Sequence, residues 1–353
     1  MLILFGAFDR HSFGDMLFAH IAKRLIPKRL IRDTQTVFAG LAARDLRAYG
    51  GHKVVALSSA PKGERVALLH VGGEILTCGA EEAAVMLGTR RALLGTDSQT
   101  PYVLGRETFA CASSICFNAV GGASLDLSDT DLLNKLRSAD HISVRDLQTH
   151  AALKEAGIDA RLTPDPASLI TELFDARAPA KRPYIAVQFS ADYGDDATLE
   201  RIASQLDRID QHIVLFRAGA APWHDDIDVY KRLLKHLKRA EVTLFDSLNI
   251  WDINTLIANS EAYAGSSLHG RIVAMAHGMP RANILHPESK KQSAYVKTWD
   301  ASHPAGVVEI DDLQAALYAS MQTDRNELRQ QASELARLYQ VNFAETLDAL
   351  LPK

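Results

Sequence analysis

The chain has 353 residues, which at roughly 150 residues per domain points to about two domains, each large enough to bury its own core. With 47% apolar and 23% charged residues it has the composition of an ordinary globular protein, which excludes a disulfide-stapled mini-domain or a disordered chain. The 39 Lys and Arg against 43 Asp and Glu leave a net charge of −4, so no overall positive field exists to hold nucleic acid, and no such partner is expected.

The first strand is expected at Leu2 to Phe5. Met1 to Phe8 is apolar, but Asp9, Arg10 and His11 interrupt it before a secretory core can form, and no later stretch approaches the ~18 uncharged apolar residues of a membrane span. A cytoplasmic location is expected. Further strands are expected at Lys53 to Leu57, Val66 to Val71, Tyr102 to Gly105, Ile115 to Val120 and His141 to Val144, with amphipathic helices at Leu132 to Ala139 and Leu147 to Ala156. Such alternation predicts parallel strands joined by helical crossovers.

Asp175 to Pro183, DARAPAKRP, lacks periodicity and precedes a fresh apolar strand, which puts a domain boundary there: 1–178 and 179–353. The pattern then restarts, with strands at 184–189, 212–217, 242–245 and 262–264 and helices at 197–208, 226–238, 251–259 and from 270. Two α/β domains of doubly wound, Rossmann-like architecture are the expected fold. In the tail, Leu328, Ala332, Leu335, Tyr339, Phe343 and Leu347 form one apolar helical stripe, suited to packing against a core, that of the N-terminal domain included.

Cys78, Cys111 and Cys116 are odd in number and lack the paired spacing of a zinc site, so buried thiols in a reducing compartment are expected, without a metal. Lys23, Arg24, Lys28, Arg29 and Arg32 make a basic run that suits a solvated helix face, or a peripheral contact with an anionic membrane surface.

In open α/β sheets ligands collect outside the carboxyl ends of the strands, where helix N-termini offer N–H groups to anions. Four strand-to-helix turns there carry more polar residues or glycines than a turn requires. In AGSSLHGRIVAMAHGMP, Ala264 to Pro280, Ser266 or Ser267 can cap a helix whose first turn holds His269 and Gly270. The dipole there favours a bound anion and a neutral imidazole able to exchange protons; a surface histidine is the plainer alternative. In SVRDLQ, Arg145 follows a strand and Asp146 can cap the next helix, so the guanidinium is placed either to grip a carboxylate or phosphate or to form a salt bridge. In VGGE, Gly72 and Gly73 permit close approach by a ligand or by another backbone. In FDRHSFGDMLF, Asp15 can cap a helix or act as a base. His224, Asp225 and Asp226 form a further polar loop, read as a solvated turn. The glycine-rich nucleotide motifs, H-E-x-x-H and G-x-S-x-G are absent from the sequence.

Taken together, SSLHGRIVAMAHGMP, ISVRDLQTHAALKEAGIDARLTPDPA, HVGGE and the opening FGD resemble the polysaccharide pyruvyl transferase family. The resemblance implies a fold similar to B-type glycosyltransferases, two Rossmann-like domains facing a cleft. It also implies transfer of pyruvate from phosphoenolpyruvate to a sugar of an exopolysaccharide or cell-surface glycan precursor, free or lipid-linked, as a ketal. No cofactor is implied. On this resemblance His269 is the proton-transfer residue and Asp15 a base toward the acceptor. Arg145 resembles the arginine that holds the donor in this family, and Ser266, Ser267, Gly270, Gly72 and Gly73 are further candidates to bind substrate. Ser267 stands where some members carry Arg, which makes Arg271 the candidate compensating cation, and Ser12 stands where many carry Asn. Two other functions fit the same residues: a nucleotide-sugar glycosyltransferase or epimerase, and a non-catalytic glycan-binding protein of a polysaccharide operon.

Overall fold

The structure, a computed structural model, describes residues 1–27, 36–60, 66–110, 112–176, 182–286, 288–304 and 306–351. The chain forms two compact units, Met1–Leu169 with Ala336–Lys353, and Ile170–Leu335. The division expected at 178/179 lies outside the described residues, as do Cys111, Lys28, Arg29 and Arg32.

In unit 1 the strands are β1 (Leu2–Phe5), β2 (Thr36–Gly40), β3 (Arg44–Asp45), β4 (Lys53–Ala56), β5 (Val66–His70), β6 (Ala112–Val120), β7 (His141–Val144) and β8 (Arg161–Leu162). Among the described residues they form one sheet in the order β3-β4-β2-β1-β5-β6-β7-β8, parallel except where β3 meets β4. Helices α1 (Phe13–Leu25), α2 (Ala80–Met86), α3 (Thr130–Arg137) and α4 (Leu147–Glu155) lie between strands. Strand β1 is buried at every residue, the pattern of a parallel strand covered on both faces. The chain turns from one half of the sheet to the other beside β1 and β5, so the carboxyl ends of these strands mark the switch point where doubly wound sheets bind ligands.

Tyr102 to Gly105 is not a strand. The Leu104 N–H donates to His70 Nε2 at 3.1 Å and the Tyr102 hydroxyl to Asp9 Oδ1 at 2.8 Å, so its apolar residues plug the sheet edge rather than extend it. The segment reads as a strand in sequence because its residues are buried like one.

Unit 2 opens with α5 (Ile170–Leu173) and holds β9 (Ile185–Gln188), β10 (Ile213–Leu215), β11 (Val242–Leu244), β12 (Ala262–Gly265), β13 (Arg281–Ile284) and β14 (Val307–Val308), in the order β11-β10-β9-β12-β13-β14. All the pairings are parallel. The crossovers are α6 (Asp196–Leu206), α7 (Ile227–His236), α8 (Ile250–Ala258), α9 (Leu268–Ala276) and α10 (Lys291–Trp299), followed by α11 (Leu313–Met321). The order reverses between β9 and β12, which makes that pair the Rossmann switch point. Aliphatic residues of β9, β10, β12 and β13 pack with α6 and α7 into one core.

The last helix, α12 (Arg325–Leu350), buries its expected stripe at Leu328, Ala332, Leu335, Tyr339 and Phe343, with Leu347 half-buried. From Ala336 onward it counts with unit 1, where Tyr339 exchanges hydrogen bonds with Asn118 of β6. No helix among the described residues is long and apolar enough to cross a membrane.

Unit 2 is braced by a buried charge cluster. Asp300 accepts from Arg271 Nε at 3.0 Å and Nη2 at 2.5 Å, and from Arg281 Nε at 2.9 Å and Nη2 at 2.5 Å, with all three side chains fully buried. Burial alone would raise the Asp300 pKa, but the two guanidiniums outweigh it and hold the carboxyl at about 2. Removing the carboxylate leaves two cations without it in the core, so Asp300→Asn is expected to lose about 3–5 kcal/mol of unfolding free energy in urea titration. Because the folded-state pKa is depressed, the wild-type contribution is complete above the ordinary carboxyl value of 3.8 and disappears as pH falls through about 2. A flat difference between wild type and variant across that window would contradict the assignment.

Candidate functional site

In unit 2 the site grows from the end of β12. Strand residues Ala262 to Gly265 give way to Ser266 and Ser267, and Ser267 is the N-cap of α9, its Oγ accepting from the Gly270 N–H at 3.1 Å. His269 follows in the first turn, half-buried, on a helix whose positive end favours anions. The carboxyl end of β9 fixes this turn from the other side of the switch point. Gln188 Oε1 accepts from the Ser267 N–H at 2.8 Å, while Ser266 Oγ accepts from the Ser190 N–H at 2.8 Å.

Gly270 answers to packing rather than to a ligand, since a Cβ there would meet the Tyr263 hydroxyl at 2.5 Å and its own N–H goes to Ser267. Arg271 requires a correction. Expected as a cation for the substrate, it is turned into the core, where its guanidinium binds Asp300, the Asn283 Oδ1 at 3.2 Å and the Gly306 carbonyl at 3.1 Å. Two positions along a helix amount to about 200° of rotation, so Arg271 points away from the side that His269 takes.

In unit 1 the sequence-predicted residues converge at the carboxyl ends of β1, β5, β6 and β7. Asp15 stands in the first turn of α1; the N-cap position belongs to Ser12, whose side chain makes no capping bond. Gly73, at φ +95°, leaves room for the Asp15 carboxylate: a Cβ there would lie 3.0 Å from Oδ1. Gly72, at φ +132°, is covered by the Phe18 ring in the same way. The close approach read from VGGE is therefore made by this chain's own helix α1. Arg10 Nη2 lies 4.0 Å from Asp15 Oδ2, and the Arg10 guanidinium stands over the Tyr102 ring at 5.3 Å. Asp9 accepts from the Leu41 and Ala42 N–H groups at 2.7 and 3.0 Å, and burial raises its pKa against these bonds.

Arg145 is the centre of a second buried cluster. Its Nη2 donates to Glu74 Oε2 at 2.6 Å and its Nη1 to Asp165 Oδ2 at 2.9 Å, with the guanidinium almost wholly out of solvent. Burial opposes its charge, but the two carboxylates more than offset that and hold it protonated. Gly121 gives the pair its space, since a Cβ there would run into the Glu74 carboxylate and lie 2.8 Å from Arg145 Nε. Of the two placements open to Arg145, the salt bridge is the one seen. Asp146 caps α4 as expected, accepting from the Thr149 N–H at 2.8 Å.

Sequence reasoning missed Asp9, Arg10, Asp165 and Gln188 as site residues. Asp165 lies in the TPDPA stretch used for the family resemblance, where a polar residue between two prolines was the available signal; Asp9 and Arg10 lie in the FDRHSFGDMLF turn, whose excess of polar residues was the signal, and Gln188 carried none. Cys78 and Cys116 are buried free thiols, and no cluster of metal-ligating residues occurs among the described residues.

This architecture is shared with B-type glycosyltransferases and related epimerases. The chain is similar to a putative UDP-N-acetylglucosamine 2-epimerase from Listeria monocytogenes, with a TM-score of 0.56 at 11% identity over 98% of this chain and 97% of that one. It is likewise similar to the S. aureus MnaA–UDP structure (0.55, 13%, 98% and 95%) and to the UDP-GlcNAc 2-epimerase from Neisseria meningitidis bound to UDP-GlcNAc (0.55, 11%, 98% and 98%). Such likeness establishes the fold. The model of the polysaccharide pyruvyl transferase family matches residues 13–286, and the chain belongs to that family. No curated protein sequence matches it.

The Arg145 cluster makes a separable prediction. Arg145→Met leaves Asp165 wholly buried without its cation and is expected to cost about 3–5 kcal/mol in chemical denaturation. An arginine that served only to bind ligand would leave the unfolding midpoint where it was.

Proposed function

We propose that this protein is a cytoplasmic transferase that moves pyruvate from phosphoenolpyruvate to a sugar of an exopolysaccharide or cell-surface glycan precursor, forming a ketal. The observation that carries the reading is His269, held in the first turn of a Ser267-capped helix at the unit-2 switch point, within a segment spanned by the family match.

Phosphoenolpyruvate is an enol ester. Protonation of its methylene carbon makes the neighbouring carbon electrophilic, and a sugar hydroxyl adds there, losing its proton. The bond to the phosphate oxygen then breaks with its electron pair leaving on phosphate, and a second hydroxyl closes the ketal and releases another proton. The chemistry thus needs one proton delivered, two accepted, and a phosphate and a carboxylate held. His269 is assigned the proton delivery. The N-terminal turn of α9, with Ser266 and Ser267, is assigned to the anions, a placement suited to a helix's positive end. Asp15, half-buried beside Arg10 and Gly73, is assigned to the acceptor hydroxyl. Arg145, which the family resemblance gives to the donor, is assigned here to holding Glu74 and Asp165 at the carboxyl edge of unit 1.

A positioned acid or base contributes roughly 10²- to 10⁴-fold to rate. His269→Ala is accordingly expected to lose at least a hundredfold in turnover while melting like the wild type. The measurement is mass spectrometry of free or lipid-linked oligosaccharides incubated with phosphoenolpyruvate, read for one added pyruvyl ketal per chain alongside phosphate release. Undiminished turnover in the variant would remove His269 from the mechanism. Stabilisation by a nucleoside diphosphate and none by phosphoenolpyruvate would instead favour a nucleotide-sugar enzyme on the same fold.

A further inference from the structure

The loop between β10 and α7 carries a histidine–aspartate pair that the reaction above does not use. Asp225 is a carboxylate with no exposed side-chain surface, yet it lies in a loop. Three donors converge on it: Gln188 Nε2 at 2.9 Å to both oxygens, the Ala218 N–H at 2.6 Å to Oδ2, and His224 Nδ1 at 3.3 Å from Oδ1. Burying a carboxylate is unfavourable unless it is so satisfied, and an apolar residue would fill a loop anchor at less cost. The surroundings are shaped for the imidazole as well. Its ring occupies the space a Cβ on Gly219 would take, and the preceding Trp223 adopts φ +65° while remaining 59% exposed. Left-handed backbone at a bulky residue is an outlier, of the kind that concentrates at functional sites.

This loop is tied directly to the turn that bears His269. Gln188 bridges them, because its amide nitrogen faces Asp225 while its amide oxygen accepts from the Ser267 N–H. That orientation follows from chemistry, since a carboxylate can only accept and an N–H can only donate. The His224 carbonyl also accepts from the Ala191 N–H at 2.7 Å, one residue after the Ser190 N–H that donates to Ser266 Oγ. Backbone and side chain thus place His224 and the Ser266–Ser267 turn in one hydrogen-bonded unit at the carboxyl edge of the sheet. With Nδ1 facing Asp225, Nε2 is the ring nitrogen that Asp225 does not engage, and the side chain is 23% exposed.

We propose that His224 is an anion-contacting residue of the unit-2 site, binding the phosphate group of the donor through Nε2, with Asp225 as the positioning residue that fixes its ring. The inference rests on the reading of unit 2 as the phosphoenolpyruvate side. Calorimetric titration of the full chain with phosphoenolpyruvate and with inorganic phosphate tests it. His224→Gln is expected to weaken both at least tenfold without moving the melting temperature. In histidine-labelled wild type, the Nε2 resonance that is missing from His224→Gln is expected to shift as phosphate is added, and Asp225→Asn to abolish that shift, a readout that a purely structural pair would not give. Binding by His224→Gln within twofold of wild type, with His269→Ala weakened, overturns this inference alone. A wild-type chain that binds neither probe overturns it together with the phosphoenolpyruvate reading.

Discussion

The constraint on which unit 2 depends is the carboxylate of Asp300 shared between two buried arginines. Arg271 comes from α9, Arg281 from the first residue of β13, and Asp300 from the end of α10, so one carboxylate ties three consecutive elements together. Gln331 of α12 closes the cluster, accepting from Arg281 Nη2 at 2.7 Å and donating to Asp300 Oδ1 at 3.1 Å. An apolar cluster of similar volume would be at least as stable, because burying ions costs much of what their attraction returns. Direction is what the charges add. With Nε and Nη2 on Asp300 and Nη1 on Asn283 and the Gly306 carbonyl, the planar guanidinium of Arg271 is held in one orientation, which restrains the helix that carries it. His269 lies two residues earlier on the same helix.

Unit 1 applies the same physics at its own switch point. Arg145 sits between Glu74, from the turn after β5, and Asp165, beyond β8, and so pins the loops that follow three strands of the sheet. Asp9 does the equivalent beside β1 and β2 through two backbone N–H groups and the Tyr102 hydroxyl. Loops at the carboxyl edge of a parallel sheet lie beyond its hydrogen-bond ladder and are otherwise held only by packing. Buried, fully bonded polar groups give them a single arrangement, which a site made of loop residues requires.

The sequence revealed the period of the fold well and the direction of its charges poorly. Runs such as Leu2 to Phe5 and 184–189 read as strands because apolar residues must cover both faces of a parallel sheet, and Ser266 or Ser267 read as a cap because a hydroxyl suits the first free N–H groups of a helix, Ser267 being the one that caps. Tyr102 to Gly105 misled because burial without periodicity looks alike in a strand and in a plug. The roles of Arg145 and Arg271 were beyond reach for another reason. Their partners lie 71, 20 and 29 residues away, and only the folded chain decides whether a guanidinium meets a carboxylate of its own or one brought by a ligand. Gln188 gave no sign at all, since a strand-ending glutamine acquires its meaning from Ser267 and Asp225 on two other loops.

Likeness in fold to nucleotide-sugar epimerases at 11–13% identity shows how little of the chemistry the framework itself decides. A doubly wound unit supplies a parallel sheet, a reversal of strand order and a helix whose positive end points at the crevice, and any small anion profits from that. What separates one reaction from another is the set of side chains delivered there. Here the switch point of unit 2 carries a serine cap and the imidazole of His269, and Arg271 is withdrawn into the core, so the positive end of α9 and that imidazole are groups near the turn suited to an anion. For the reaction proposed above, the group that hands a proton to carbon is better served by a titratable imidazole than by a permanent cation, because a guanidinium cannot release a proton at any ordinary pH.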